Sequence, residues 1–138
     1  MLIEITERPI YSDPTINALK LSVHGAVVTF MGTVRRNTGT RVVRYLDYEA
    51  YPEMASEKLR QVGTEVIAKF GSEDIAIVHR IGRLYVGETS LVVAVGSAHR
   101  REGFEACLYT VERIKEIVPI WKKEVWEVGA VWVNSERA

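Results

Sequence analysis

The groups best suited to chemistry in this chain are amines and guanidinium groups set near the ends of its regular elements. Lys115 stands four residues before Pro119, and Lys122 falls just after it in the run Pro119-Ile120-Trp121-Lys122-Lys123-Glu124. On a helical wheel, Phe104, Cys107, Leu108, Val111, Ile114 and Val118 form one apolar stripe, and Lys115 lies about 20° from Phe104 within it. That stripe is expected to face the core, with Glu105, Glu112, Arg113 and Glu116 on the polar side. A lysine inside it must snorkel past its neighbours, pair with a carboxylate or line a pocket. In a pocket its amine would be partly desolvated, with a lowered pKa suited to acid, base or nucleophile work. Position alone leaves these options open. Lys122 has its own pair of readings, a solvated surface turn or, with Lys115 at the same helix end, half of an anion site.

A second cluster of positive charge is Ser97-Ala98-His99-Arg100-Arg101, where a strand should give way to that helix. Free backbone N–H groups at a helix start favour anions, and phosphate suits a site that adds arginine and histidine. A polar loop with ordinary surface arginines fits the same residues. Arg35 and Arg36 close another strand and could add charge. His79-Arg80-Ile81-Gly82 reads as a strand closing into a turn, a structural role. His24, His79 and His99 have no ligand-like spacing and no cysteine pair, so no metal site is expected. The one cysteine, Cys107, lies on the apolar stripe as a core thiol. No glycine-rich nucleotide loop or Ser-His-Asp pattern occurs.

These groups need a scaffold. The sequence predicts a strand over Met1–Thr6, then a short helix opened by Asp13-Pro14 and running to about Leu21. Gly25–Val34 reads as a strand and Arg36–Arg41 as a polar loop. Val42–Tyr51 alternates, with Val43, Tyr45, Asp47 and Glu49 on one side. Pro52 opens a helix to about Phe70, with Leu59, Val62, Val66 and Phe70 on its inner face. Ile75–Arg80 and Thr89–Ser97 are strands joined through Gly82 and Gly87. A helix over about Arg101–Val118 stops at Pro119, and Lys122–Val133 is extended. Strands and helices mix without regular alternation, which favours an α+β domain spanning residues 1–138.

Composition narrows the function classes. The 138 residues suit one domain, and 47% apolar with 26% charged residues is ordinary for a globular protein. Eighteen basic residues cancel eighteen acidic ones, so a general nucleic-acid binder is disfavoured. The longest apolar runs are too short to span a bilayer and no secretory signal is evident, so a cytoplasmic protein is expected.

Taken in order, several segments resemble the large-subunit family of molybdopterin synthase. They are Gly25-Ala26-Val27-Val28-Thr29-Phe30-Met31-Gly32-Thr33-Val34-Arg35 and Leu46-Asp47-Tyr48-Glu49-Ala50-Tyr51-Pro52-Glu53-Met54-Ala55. His79-Arg80-Ile81-Gly82-Arg83-Leu84, Gly87-Glu88, Ser97-Ala98-His99-Arg100, Lys115 and the Pro119–Glu124 run continue the series. The resemblance implies an α/β-hammerhead-type α+β fold with mixed and antiparallel sheet and about three helices. It implies a reaction in which cyclic pyranopterin monophosphate receives two dithiolene sulfurs. Their donor would be the thiocarboxylated C-terminal glycine of a small ubiquitin-like sulfur-carrier subunit. A homodimer of large subunits within a heterotetramer is implied, with no metal or redox cofactor. Carried over by motif, Lys115 and Lys122 are the catalytic positions, and Arg35, His99 and Arg100 join them in binding substrate.

The short tail after Glu124 departs from relatives that use tail residues across the dimer, which puts such a role for Arg137 in doubt. Two other classes compete: a non-catalytic module that binds the sulfur carrier without turnover, and a small regulatory domain that binds generic phosphates. Retention of both lysines favours the enzyme.

Overall fold

The computed structural model describes residues 1–21, 23–72, 74–127 and 129–133. The chain begins with β1 (Leu2–Thr6), α1 (Ser12–Ala18), β2 (Ala26–Thr33), β3 (Asn37–Thr38) and β4 (Arg41–Ala50). It continues through α2 (Pro52–Phe70), β5 (Asp74–Arg80), β6 (Gly82–Tyr85) and β7 (Thr89–Ser97). α3 (Arg100–Ile117), β8 (Ile120–Trp126) and β9 (Ala130–Val133) complete it. The class is α+β, as the irregular alternation of elements predicts.

Two sheets result. The first has the order β1-β5-β7-β2, with β1 parallel to β5 and the other pairs antiparallel. The second is built on β4, which carries β8 and then β9 on one edge and pairs with β3 and β6 as well. α2 and α3 cover one face of the first sheet around a core that includes Leu59, Val62, Val66, Ile75, Ile77 and Val93. A smaller cluster of Val34, Val43, Leu46 and Leu84 belongs to the second sheet.

α2 has the predicted bounds. Pro52 suits the first turn, where the missing N–H has no partner to lose, and Gly71 ends the helix at φ 64° in the left-handed region. α1 departs from expectation. It begins at Ser12 with Tyr11 in the capping position and no side-chain cap, and it stops at Ala18. The predicted loop over Arg36–Arg41 contains β3, because Gly39 at φ 60° allows a two-residue reversal that pairs Thr38 with Arg41. The Gly82-to-Gly87 connection holds β6, and the extended tail folds back as the β8–β9 hairpin.

Two facing patterns differ from the sequence prediction for physical reasons. In α3 the buried residues are Gly103, Ala106, Cys107, Thr110 and Ile114, while Phe104 and Leu108 are 63% and 62% exposed. Small residues let the helix settle close to β2 and β7; a Cβ at Gly103 would stand 2.9 Å from Val28 Cγ2. Bulky Phe104 and Leu108 are therefore turned aside. The buried Thr110 hydroxyl is satisfied by donating to the Ala106 carbonyl at 2.6 Å. In β4 the register slips between Val43 and Tyr45, so Val43 does not share a face with Tyr45, Asp47 and Glu49. Val43 and Leu46 are both buried as a result.

Leu59 has no solvent exposure at the centre of the α2 face. Leu59→Ala is expected to lower the unfolding free energy by about 2–5 kcal/mol, measured by urea denaturation, by leaving a cavity under both helices.

Candidate active site

A cavity of 470 Å³ opens where the end of α3 meets β2, β4, β7 and β8. Phe30, Leu91, Ile114 and Val118 give it an apolar wall, and Arg35, Lys115 and Lys122 bring three cationic side chains to its surface. Each of the three arrives by a different route. Arg35 follows β2, Lys115 occupies the last turn of α3, and Lys122 projects from β8.

Strand pairing explains why Lys122 is inside. Antiparallel pairing sets Lys122 opposite Tyr48 and Glu124 opposite Leu46, and the alternation of β8 turns Lys122 and Glu124 to the same face. Lys122 is 8% exposed and Glu124 5% exposed. The Lys122 amine has a pKa lowered to about 8, chiefly because burial disfavours the ammonium. Lys115 and Arg35 push it the same way by repulsion, while the Glu124 carboxylate opposes them. Glu124 is anchored in turn by the Trp126 indole N–H, which donates to its Oε1.

Of the options open to Lys115 on the helical wheel, the structure gives cavity lining. The side chain is half-buried beside the buried Ile114. A cation in the last turn of a helix is favoured by the helix dipole.

His99 and Arg100 stand elsewhere. They cap and begin α3, both exposed, and neither lines the cavity. From Arg100 to Lys115 the helix rises by roughly 22 Å, so one chain cannot bring His99 and Arg100 to the same small ligand as the lysines. Arg137 lies outside the described residues.

The structure adds polar residues to the cavity that sequence reasoning did not place at a site: Tyr48, His79, Ser90 and Glu124. His79, read from sequence as part of a turn, is 7% exposed, with a pKa lowered to about 4 by burial. Its Nδ1–H donates to the Arg80 carbonyl at 2.8 Å, and its ring stands edge-on to Tyr48 at a centroid distance of 5.4 Å. The Tyr48 hydroxyl bonds Ser90, and burial raises its pKa. Ser90 Oγ donates to the Gly32 carbonyl at 3.3 Å. Alternation in β4 places Tyr48 on the Leu46 face, but only the pairing with β8 reveals what it meets. Cys107 is a core thiol, 5% exposed and pushed up to about 11 by burial.

Among the described residues no cluster of three or more His, Cys, Asp or Glu side chains could hold a metal ion. No helix among them is long and apolar enough to cross a membrane.

Residues 5–117 match the family model described as MoaE protein. The chain belongs to the MoaE family. It is 47% identical over 132 residues to the molybdopterin synthase catalytic subunit of Halalkalibacterium halodurans, covering 96% of this chain and 85% of that one. The Bacillus subtilis subunit of the same name is 48% identical over 134 residues, with the same coverage of both chains. The crystal structure of molybdopterin synthase from Staphylococcus aureus superposes with a TM-score of 0.91 at 44% identity, covering 95% of this chain and 96% of that one. A chain from the complex of subunits 1 and 2 of molybdopterin-converting factor from Helicobacter pylori shares the fold. Its TM-score is 0.76 at 17% identity, covering 94% of this chain and 88% of that one. The α+β arrangement is thus that of the MoaE family.

Among the described residues, Glu124 is the one group that acts to keep Lys122 charged. Glu124→Gln is therefore expected to lower the Lys122 pKa below about 8. Titration of the labelled lysine by NMR checks the direction; an unchanged or raised value would contradict the pairing.

Proposed function

We propose that this chain is the catalytic subunit of a molybdopterin synthase. Its substrate is cyclic pyranopterin monophosphate, which gains two dithiolene sulfurs from the C-terminal thiocarboxylate of a small ubiquitin-like sulfur-carrier subunit. Supporting this are the family membership, the names of relatives at nearly half identity, and above all the meeting of Arg35, Lys115 and Lys122 in one cavity. The reaction is assigned to the cytoplasm, where a reduced carrier thiocarboxylate persists.

Arg35 supplies fixed positive charge for the phosphate, since a guanidinium keeps its proton and forms paired bonds with an oxyanion. Lys122 neutralises the thiocarboxylate as it approaches; near neutral pH it is largely an ammonium, yet it can release a proton cheaply. Lys115 acts as general acid and base, or takes the acyl group once sulfur has left. Cys107 is buried with a raised pKa, which supports an external sulfur donor.

His99 and Arg100 enter through a second copy of the chain. Among the described residues β2 is the last strand of the first sheet and pairs along one edge only, and its eight residues AVVTFMGT carry no charge and no proline. Exposed Met31, Phe104 and Leu108 add apolar surface on β2 and the neighbouring α3. Ala26 pairs with Ser97, which puts His99 and Arg100 at the start of β2, whereas Arg35 follows its end. Two β2 edges paired antiparallel about a two-fold axis would bring His99 and Arg100 of one copy toward the Arg35 end of the other.

The reading is tested by assaying dithiolene product from the chain, a thiocarboxylated carrier and cyclic pyranopterin monophosphate. Lys115→Ala is expected to cut turnover by roughly 100-fold or more while carrier binding persists. Product formation at the wild-type rate would remove Lys115 from the chemistry. No product from wild type, despite a stable complex with its carrier, would favour a binding module. Lys115→Ala and Arg100→Ala, each weakly active, are expected to recover about a quarter of wild-type activity when dissociated and mixed, because half the dimers then hold one intact site. No recovery would place Arg100 in its own subunit's function or outside catalysis.

A further inference from the structure

The cavity has a second polar wall that the proposed mechanism does not use. It contains Tyr48 and His79, from β4 of one sheet and β5 of the other, with Ser90 behind Tyr48. Hydrogen-bond directions give this wall a definite character. The Arg80 carbonyl can only accept, so His79 Nδ1 carries the proton and Nε2 is left with a lone pair. Ser90 Oγ donates to the Gly32 carbonyl and also pairs with the Tyr48 hydroxyl. A hydroxyl oxygen has two lone pairs, so Tyr48 keeps accepting capacity beyond that one contact. Burial keeps His79 neutral and the Tyr48 phenol protonated near pH 7.

We infer that Tyr48 and His79 form a specificity wall whose lone pairs accept hydrogen bonds from the N–H donors of a heterocycle, while Arg35, Lys115 and Lys122 hold the anionic part of the same ligand. This rests on the synthase reading for its ligand class: the aminopyrimidinone edge of a pterin presents adjacent N–H donors. Neutral acceptors suit such an edge because a ligand without donors leaves them desolvated and unpaired. That difference discriminates more strongly than apolar fit. The wall is also fixed in place. Tyr48 is held through Ser90 to β2 and by the edge-on His79 ring, so its acceptors need little ordering when ligand arrives.

The test titrates the intact protein with carboxypterin and with naphthoate, an anion of similar size and no N–H donors, and follows tryptophan fluorescence. Wild type is expected to bind carboxypterin at least about tenfold more tightly than naphthoate. Tyr48→Phe keeps the ring and is expected to weaken carboxypterin about tenfold while leaving naphthoate unchanged. His79→Leu should do the same if its melting temperature stays near wild type; Tyr48→Phe decides the matter if it does not. Equal affinities for the two probes, no carboxypterin binding, or parallel losses of both probes in Tyr48→Phe would overturn the inference. The dithiolene assay separates the two ideas. A missing preference with normal product formation rejects the wall alone, and a clear preference in a chain that makes no product rejects the synthase reading alone.

Discussion

The site depends on keeping three cations around a small, poorly hydrated space. Like charges in such a place repel more strongly than in water, and each loses hydration on entering. The chain answers with one buried carboxylate, Glu124, two residues from Lys122 on the same strand face. Among the described residues, that arrangement sets three cationic side chains against one carboxylate and holds Lys122 near the point of losing its proton. Bringing such groups out of water costs stability that an anionic ligand would restore, so stability and function pull in opposite directions here.

The rest of the fold serves this balance by bringing rigid ends together. Arg35, Lys115 and Lys122 each sit at or next to the terminus of a regular element, so their backbones are fixed by packing that lies well away from the cavity. The close seat of α3 on β2 and β7, made possible by Gly103, Ala106 and Thr110, sets how far Lys115 reaches. The bidentate bond from Arg113 to Glu65, at 3.0 and 3.2 Å, ties the same end of α3 to α2. These partly exposed charges add orientation more than energy.

Much of this is legible in the residues alone. Pro52 and Phe70 bound α2, β7 has its predicted range, and Lys115, for which position alone left snorkelling, pairing and a pocket open, lines the cavity. What stayed hidden depends on contacts between distant segments. Phe104 and Leu108 look like core on a wheel, because hydrophobicity outweighs size in that reading; the close approach of the helix reverses them. Tyr48, Ser90 and Glu124 carry no local signal, since their significance arises from the pairing of β4 with β8 and the meeting of two sheets. Arg35, His99 and Arg100 share a charge type in sequence, yet only Arg35 reaches the cavity of its own chain.

The slip in β4 between Val43 and Tyr45 has a consequence for how this chain can change over evolutionary time. Side chains along a strand alternate with period two, so loss of one residue reverses every position on one side of the change. Arg44 is the extra residue of the slip, so deleting it would restore plain alternation and keep Val43 and Leu46 on one face. Deleting Asp47, where alternation is regular, would instead set Leu46 and Tyr48 on opposite faces. Point substitutions around the cavity alter its chemistry one group at a time, whereas a single-codon deletion beyond the slip would exchange its inner and outer surfaces. The lineage of this protein is thus freer to vary letters between Tyr45 and Glu49 than to lose one.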